Sequence, residues 1–463
     1  NLGNTFDRSI AFFGNGTYSY DARYTFNGTV RYEGTNKLGK SRSARWLPTW
    51  NVSGSWNISQ EEWFEPVTEV ISHLSLKSSY SLTADRGPAS VTNSFVVISS
   101  ETPWKPTAAL RESALYIYDL ANSDLTYEKK HELNVGVEAG FIDNRINATF
   151  DWYKRNNFDL IGLVNTQGVG GQVKKLGNIA AMKSNGCEFS LTTTNIKKKD
   201  FSWTTNFNYS HAVNRVTDLK TSTRVIDLIH GTGFAQEGYP VRSIFSIPFK
   251  GLDNEGLPTF LDQDGNITTT GIYFQESDPE KLGFLEYSGS ADPTDFGSLG
   301  NIFTWKGFRL NVYMTYSFGN VIRLDPVFSN TYNDLDSMPK EFINRWMVPG
   351  DETKTDIPVI ASKIQNKNDT DLKIAYSAYN YSTARIAKGD FIRMKEISFG
   401  YDFPKKVTDA LKLNALSLKL QASNLFLIYA DPKLNGQDPE FFNTGGVAVP
   451  VPKQFTFTVR LGI

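Results

Sequence analysis

The sequence predicts an all-β chain folded as a transmembrane antiparallel β-barrel, and three observations carry that reading. Stretch after stretch alternates apolar and polar residues with period two, which gives a strand one greasy face and one polar face. The links between these stretches are alternately short and long, the pattern of outer-membrane barrels with tight turns at one end and long loops at the other. Aromatic residues make up 13% of the chain, yet mean hydropathy is only −0.35. That combination suits an aromatic-rich lipid face beside a wet lumen and wet loops.

Composition narrows the classes further. A net charge of −1 over 463 residues gives no basic field for nucleic acid and no acidic tail for a basic partner. Cys187 is the only cysteine, so no intrachain disulfide can form. Ser94–Ile98 is among the longest apolar runs, far short of the roughly 18 residues of a membrane helix. A chain of this kind meets a bilayer as a barrel. It opens at Asn1-Leu-Gly-Asn-Thr-Phe6 without an initiator Met or a signal peptide, so the N-terminus is expected to be internal to a longer precursor.

Taken in order, Ser9–Ser19 and Arg23–Glu33 read as a first pair, the second with Tyr24, Phe26, Val30 and Tyr32 on one face. Trp46–Ile58 and Ser72–Thr83 follow, joined through Ser59–Thr68. His131–Phe141 and Arg145–Lys154 form a hairpin across Asp143-Asn144, a tight-turn signal. After a Gly-rich loop at Val164–Lys175 come Asn185–Thr194 and Ser202–Ala212, separated by the charged turn Lys197–Asp200. Residues 213–293 carry turn chemistry with a small hairpin around Phe245–Phe260. Asp295–Trp305 and Phe308–Phe318 pair across Lys306-Gly307. Pro339–Trp346 is the best short helix, within a long excursion from Asn320 to Asp390. Phe391–Phe403, Leu416–Phe426 and Gln454–Ile463 close the chain. These are thirteen strands. Short links are expected at 20–22, 59–71, 142–144, 195–201, 306–307 and 404–415. Long ones are expected at 34–45, 84–130, 155–184, 213–294, 319–390 and 427–453.

Several stretches carry a family likeness. They include Tyr127–Gly136, Asn144–Tyr153, Lys183–Leu191, Glu237–Val241, Gly307–Val312, Ser317–Asn320 and Arg345-Trp-Met-Val-Pro-Gly-Asp351. Gly389-Asp-Phe-Ile-Arg-Met-Lys-Glu-Ile-Ser-Phe-Gly-Tyr401 is the most specific, followed by Ser423–Phe426 and Asp438-Pro-Glu440. This ordered set, over residues 125 to 463, resembles the SusC/RagA-like TonB-dependent outer-membrane transporters. The resemblance implies a barrel of roughly 22 strands plugged by an N-terminal domain, with this chain supplying about thirteen C-terminal strands. The plug and the N-terminal strands are then expected outside this chain. The resemblance also implies a nutrient importer, for an oligosaccharide or oligopeptide, working with a SusD-like surface lipoprotein and TonB in the outer membrane of a Bacteroidota-like bacterium. Ile463 departs from the family's aromatic terminal residue.

No residue pattern points to catalysis or to a cofactor. His73, His131, His211 and His230 are scattered without metal-ligand spacing. Val169-Gly-Gly-Gln172 lacks the Lys-Ser/Thr of a phosphate loop. Asp262-Gln-Asp-Gly-Asn266 resembles the start of a calcium loop but lacks its later acidic ligands, which favours a plain turn. The Asn-x-Ser/Thr sequons at Asn15, Asn27, Asn51, Asn147 and Asn208 fit small polar residues on a lumen face better than glycosylation. Function is expected in the long loops. Trp346, Tyr379, Tyr381, Phe441 and Phe442 could stack on sugar rings or line a partner opening. Asp438, Glu440 and Asp351 could accept hydrogen bonds from hydroxyls or amines. Packing of loop on loop competes with each of these readings. Two other function classes stay open: a passive porin, and a soluble β-rich adhesin or glycan-binding module.

The last strand states the structural expectation most sharply. Gln454–Ile463 would send Phe455, Phe457, Val459, Leu461 and Ile463 to lipid. One edge would pair with Leu416–Phe426, and the other would need a strand this chain does not contain, because an open edge in lipid is not viable.

Overall fold

A computed structural model describes residues 8–87, 96–107, 112–165, 168, 174–326, 340–360, 372–441 and 452–463. The chain falls into two compact units, Asn1–Glu188 with Val213–Thr221, and Phe189–Ala212 with Ser222–Ile463.

All thirteen expected strands are present in one sheet. They are β1 (Ser9–Tyr20), β2 (Tyr24–Thr35), β3 (Trp46–Asn57), β4 (Ile71–Asp85), β5 (Glu128–Phe141), β6 (Ile146–Asn165), β7 (Lys174–Lys197), β8 (Phe201–Leu219), β9 (Asp295–Trp305), β10 (Phe308–Phe318), β11 (Phe391–Asp402), β12 (Ala415–Ala430) and β13 (Gln454–Gly462). Each lies beside its neighbour in chain order. The registers run antiparallel from Ser9 opposite Thr35 at one end to Ala415 opposite Gly462 at the other. Consecutive antiparallel pairing needs only tight turns at one end, and the turn residues supply them. Lys306 and Gly307 both take positive φ, 45° and 88°, as a two-residue primed turn between right-twisted strands requires.

Three links differ from expectation. The stretch 155–184 is mostly strand: β6 runs on to Asn165 and β7 starts at Lys174. Side-chain amides stabilise the extension. Asn178 Nδ2 donates to Thr126 O at 3.0 Å and to Asp159 O at 2.5 Å, and Asn122 Nδ2 donates to Leu176 O at 2.8 Å. β8 continues to Leu219 and β12 to Ala430, so the long links 213–294 and 427–453 also begin as strand. The helix expected over 339–346 is a 3₁₀ turn, Lys340–Asn344, with Pro339 outside the described residues.

The two faces separate as the alternation requires. Phe12, Tyr18, Phe26, Val52, Phe399, Leu420, Phe457 and Leu461 are exposed, an apolar surface too broad for a chain facing water alone. On the other face polar side chains bond to one another across strands. Ser190 Oγ donates to Asn208 Oδ1 (2.9 Å), Asn208 Nδ2 to Ser298 Oγ (3.1 Å) and Tyr313 Oη to Ser298 Oγ (2.9 Å). Asn15, Asn27, Asn51, Asn147 and Asn208 all lie in strands. Every residue of β1 is exposed, and β13 is exposed up to its last residue. Among the described residues these two strands each have one sheet neighbour.

The fully buried apolar side chains gather in the long links. Val225, Ile229, Phe245, Ile247, Phe260, Ile272, Phe342, Tyr376 and Tyr379 form one core in the second unit. Each such burial stabilises by roughly 1.5–3 kcal/mol. The long links thus fold as a module in their own right. Its parts are the strand pair Ser243–Ser246 with Glu286–Ser290, and the hairpin Phe249–Leu252 with Pro258–Leu261, where a hairpin was expected. Val321–Arg323 pairs with Ile386–Lys388, and the helix Leu372–Asn380 completes the module.

Candidate functional site

The loop module positions most of the candidate residues, and the helix Leu372–Asn380 organises it. Leu372, Ala375, Tyr376 and Tyr379 recur at helical spacing and all four are buried. Tyr379 is 1% exposed, its ring 5.7 Å from that of Phe249. Burial pushes its phenol up to about 12. Tyr381, just past the helix, is half-buried. Its carbonyl accepts from Ile247 N at 3.1 Å, and the Arg323 guanidinium lies 5.7 Å from its ring.

Trp346 sits in a separate turn and is 8% exposed. It packs on Gly256, whose φ of +79° and lack of Cβ allow the approach; a Cβ there would strike the indole. Trp346 Nε1 donates to Glu352 Oε2 at 2.9 Å, and Asp351 Oδ2 accepts from Val348 N at 3.1 Å. Glu352 is held below the usual carboxylate range first by the Trp346 N–H, and Asp351 first by Lys354. The motif Arg345–Asp351 is therefore a self-bonded turn.

Asp438 and Glu440 converge on Arg393. Arg393 Nη2 donates to Asp438 Oδ1, and Arg393 Nε lies 3.2 Å from Glu440 Oε2. That second contact is an ion pair off the line of a hydrogen bond, which leaves Nε without a hydrogen-bonded partner among the described residues. The register shifts in β11 between Ile392 and Arg393 and between Met394 and Glu396, opposite β12. Bulges of this kind re-aim side chains, and here the bulge lies within the family-like motif Gly389–Tyr401 that carries Arg393. Phe441 ends the 3₁₀ turn Pro439–Phe441 and is half-buried. Phe442 lies outside the described residues. The structure thus groups Tyr379 with Tyr381, Asp438 with Glu440, and Trp346 with Asp351; it does not gather all of them in one place.

Each unit also carries a recess. In the first, about 700 Å³ opens on the polar face of β2 to β4 beside Arg31, Glu33, Asn51, Arg86 and Tyr127. Arg31 and Arg86 both pair with Glu33 there, the former at 2.5 Å. In the second, about 530 Å³ opens in the loop module beside Glu341, Arg345, Asp356, Tyr379, Arg385 and Lys433. Asp351 lines it too, and it and Tyr379 were singled out from the sequence. The others are far apart along the chain, and no spacing rule joins them. The Asp262–Asn266 stretch is a turn: Asp262 Oδ1 accepts from Asp264 N and Asn266 N at 2.9 and 2.8 Å. No cluster of metal-ligating side chains occurs among the described residues.

An antiparallel sheet of this breadth, apolar on one face and polar on the other, with structured loops, has the architecture of a transmembrane β-barrel wall. The profile of the "TonB dependent receptor-like, beta-barrel" family matches residues 2–329, and the chain belongs to that family. It is 26% identical over 455 residues to TonB-dependent receptor P3 of Formosa agariphila, covering 93% of this chain and 42% of that protein. It is 24% identical over 480 residues to TonB-dependent receptor SusC of Bacteroides thetaiotaomicron, covering 98% of this chain and 43% of that one. The chain therefore spans less than half the length of these relatives. Its fold is similar to that of a chain of the RagAB peptide importer. In the closed-closed state the TM-score is 0.76 at 22% identity, over 98% of this chain and 47% of that one. In the open-open state it is 0.77 at 21% identity, over 99% and 47%.

Proposed function

We propose that this chain is the C-terminal part of the barrel wall of a TonB-dependent transporter of the SusC/RagA type. In this reading it lies in the outer membrane of a Bacteroidota-like bacterium and imports a large nutrient, an oligosaccharide or an oligopeptide. The observation that carries the reading is the thirteen-stranded sheet with its exposed apolar face, flanked by β1 and β13, each with one sheet neighbour among the described residues. Exposed aromatic and aliphatic side chains suit lipid, and unpaired edges suit closure by further strands. The N-terminal strands and plug of the same protein complete the barrel and fill its lumen. The long links face outward, where a SusD-like lipoprotein closes over them, and TonB supplies energy through the plug.

Within the loops, the partly exposed Tyr381, Glu440 and Phe441 contact substrate or lid directly. The buried Trp346, Tyr379 and Asp438 contribute by fixing the loops that present them. The chemistry is binding and gating; no covalent step is required of this chain. Uptake measured in cells with and without TonB tests the reading. Uptake that depends on TonB is expected, and uptake unchanged by its loss would favour a passive pore.

A further inference from the structure

We propose that the recess bounded by Arg345, Arg385 and Lys433 binds a carboxylate group of the imported oligomer; this rests on the import reading and names the chemistry its loops select. Arg385 Nη2 pairs with Glu341 Oε1 at 2.6 Å, and Lys354 Nζ pairs with Asp351 Oδ1 at 3.1 Å. Those pairs cancel. Arg345 and Lys433 also border the space, and neither makes an ion pair among the described residues; of the described lining residues only Asp356 stands against them. The wall therefore keeps a surplus positive charge.

The surplus is deepened from behind. Arg385 is 2% exposed, and its Nε has no hydrogen-bond partner among the described residues. Next to it in the core is Arg323, 5% exposed. It donates to Ser382 O, Phe245 O and Ser246 Oγ at 3.1, 2.7 and 2.9 Å. None of these partners carries a negative charge, and burial pushes the Arg323 guanidinium well down from its ordinary value, with Arg385 adding repulsion. Of the two buried guanidinium groups, only Arg385 has a carboxylate partner, Glu341, among the described residues. In a partly desolvated wall such an imbalance attracts an anion more strongly than it would in water, and guanidinium forks match carboxylate geometry. A neutral sugar would instead be met by open aromatic faces. The one aromatic side chain among the described residues of this wall, Tyr379, is 1% exposed.

The same group reaches the recess from two sources, the C-terminal carboxylate of a peptide or the acid of a uronic sugar. The test is calorimetric titration of the full-length transporter, with its bound subunits, in mild detergent. Penta-alanine is compared with its C-terminal amide, and trigalacturonate with its methyl ester. The expected result is that one acid binds about tenfold tighter than its neutral counterpart. The pair that shows this names the source. Arg345→Met and Lys433→Met should each weaken that acid about three- to tenfold and leave the neutral form unchanged. Lys433 is exposed, so its replacement tests the recess without risk to the core. Equal binding of acid and neutral forms, no binding by either acid, or variants that leave the acid's affinity intact would overturn the proposal. TonB-dependent uptake together with any of those results rejects this recess alone; uptake independent of TonB rejects the import reading itself.

Discussion

Arg393 on β11 and Asp438 in the last long link form an ion pair in which each side chain is less than a tenth exposed, 6% and 8%. It ties a loop 45 residues downstream to the polar face of the sheet. Removing one partner of a buried pair costs about 3–5 kcal/mol, whereas replacing both by apolar groups is often neutral. Asp438→Asn should therefore free residues 431–441, while Arg393→Met with Asp438→Leu restores much of the protection. Hydrogen exchange over that segment measures it. Equal protection in wild type and Asp438→Asn would show that the pair does not hold the loop.

Tyr379 is a core residue, and its truncation should act through folding. Tyr379→Ala is expected to cost about 3–5 kcal/mol and to expose the loop module to limited proteolysis. Tyr379→Phe keeps the ring and should change stability by no more than about 1.5 kcal/mol. A Tyr379→Ala protein that resists protease but loses substrate affinity would instead place the ring in contact with substrate.

Gly256 has a positive φ and carries the Trp346 indole on its bare face. Gly256→Ala combines a strained backbone with a clash, each of which is unfavourable, and should cost about 1–3 kcal/mol. Tryptophan fluorescence would report it as a red shift, through the indole leaving its buried place. An unshifted spectrum would mean that the turn accommodates a methyl group.

The carboxylates of the same turn set a pH dependence. Glu352 and Asp351 both have folded-state pKa values lowered by the hydrogen bonds they accept. Their contribution is complete above the unfolded values of about 4 and is lost as pH falls through the folded ones. Acidification below about pH 4 should loosen Trp346, and Glu352→Gln should remove that part of the fluorescence transition. A transition of the same size in Glu352→Gln would assign it elsewhere.

The sheet was legible because a strand writes its two faces into the sequence at period two. The closing run of Phe455, Phe457, Val459 and Leu461 lies opposite Ala422, Leu420, Leu418 and Leu416, face to face as the alternation implies. The ends of β6 and β7 were not legible. Asp159 takes a positive φ of 58° that interrupts the pattern, and the bonds that sustain the extension come from Asn178 and Asn122. The helix at Leu372–Asn380 did carry a signal, with apolar residues at helical spacing, but it is short and lies deep in an excursion rich in turn residues. Apart from Tyr379 and Asp351, the recess residues carried none. Glu341, Arg385 and Lys433 meet only through folding of the loops, and the bulge that turns Arg393 toward Asp438 has no mark in composition. Tyr379 and Trp346 were picked out as aromatic loop residues that could contact substrate or partner, and the structure places both in packed interiors.

The central claim is that this chain is the wall of a transporter completed by other segments and subunits. The most direct measurement is affinity purification of the native assembly from membranes in mild detergent, followed by mass spectrometry of every polypeptide recovered. The account predicts peptides from an N-terminal plug and barrel portion of the same protein, together with a surface lipoprotein. Recovery of this chain alone, soluble without detergent, would contradict it.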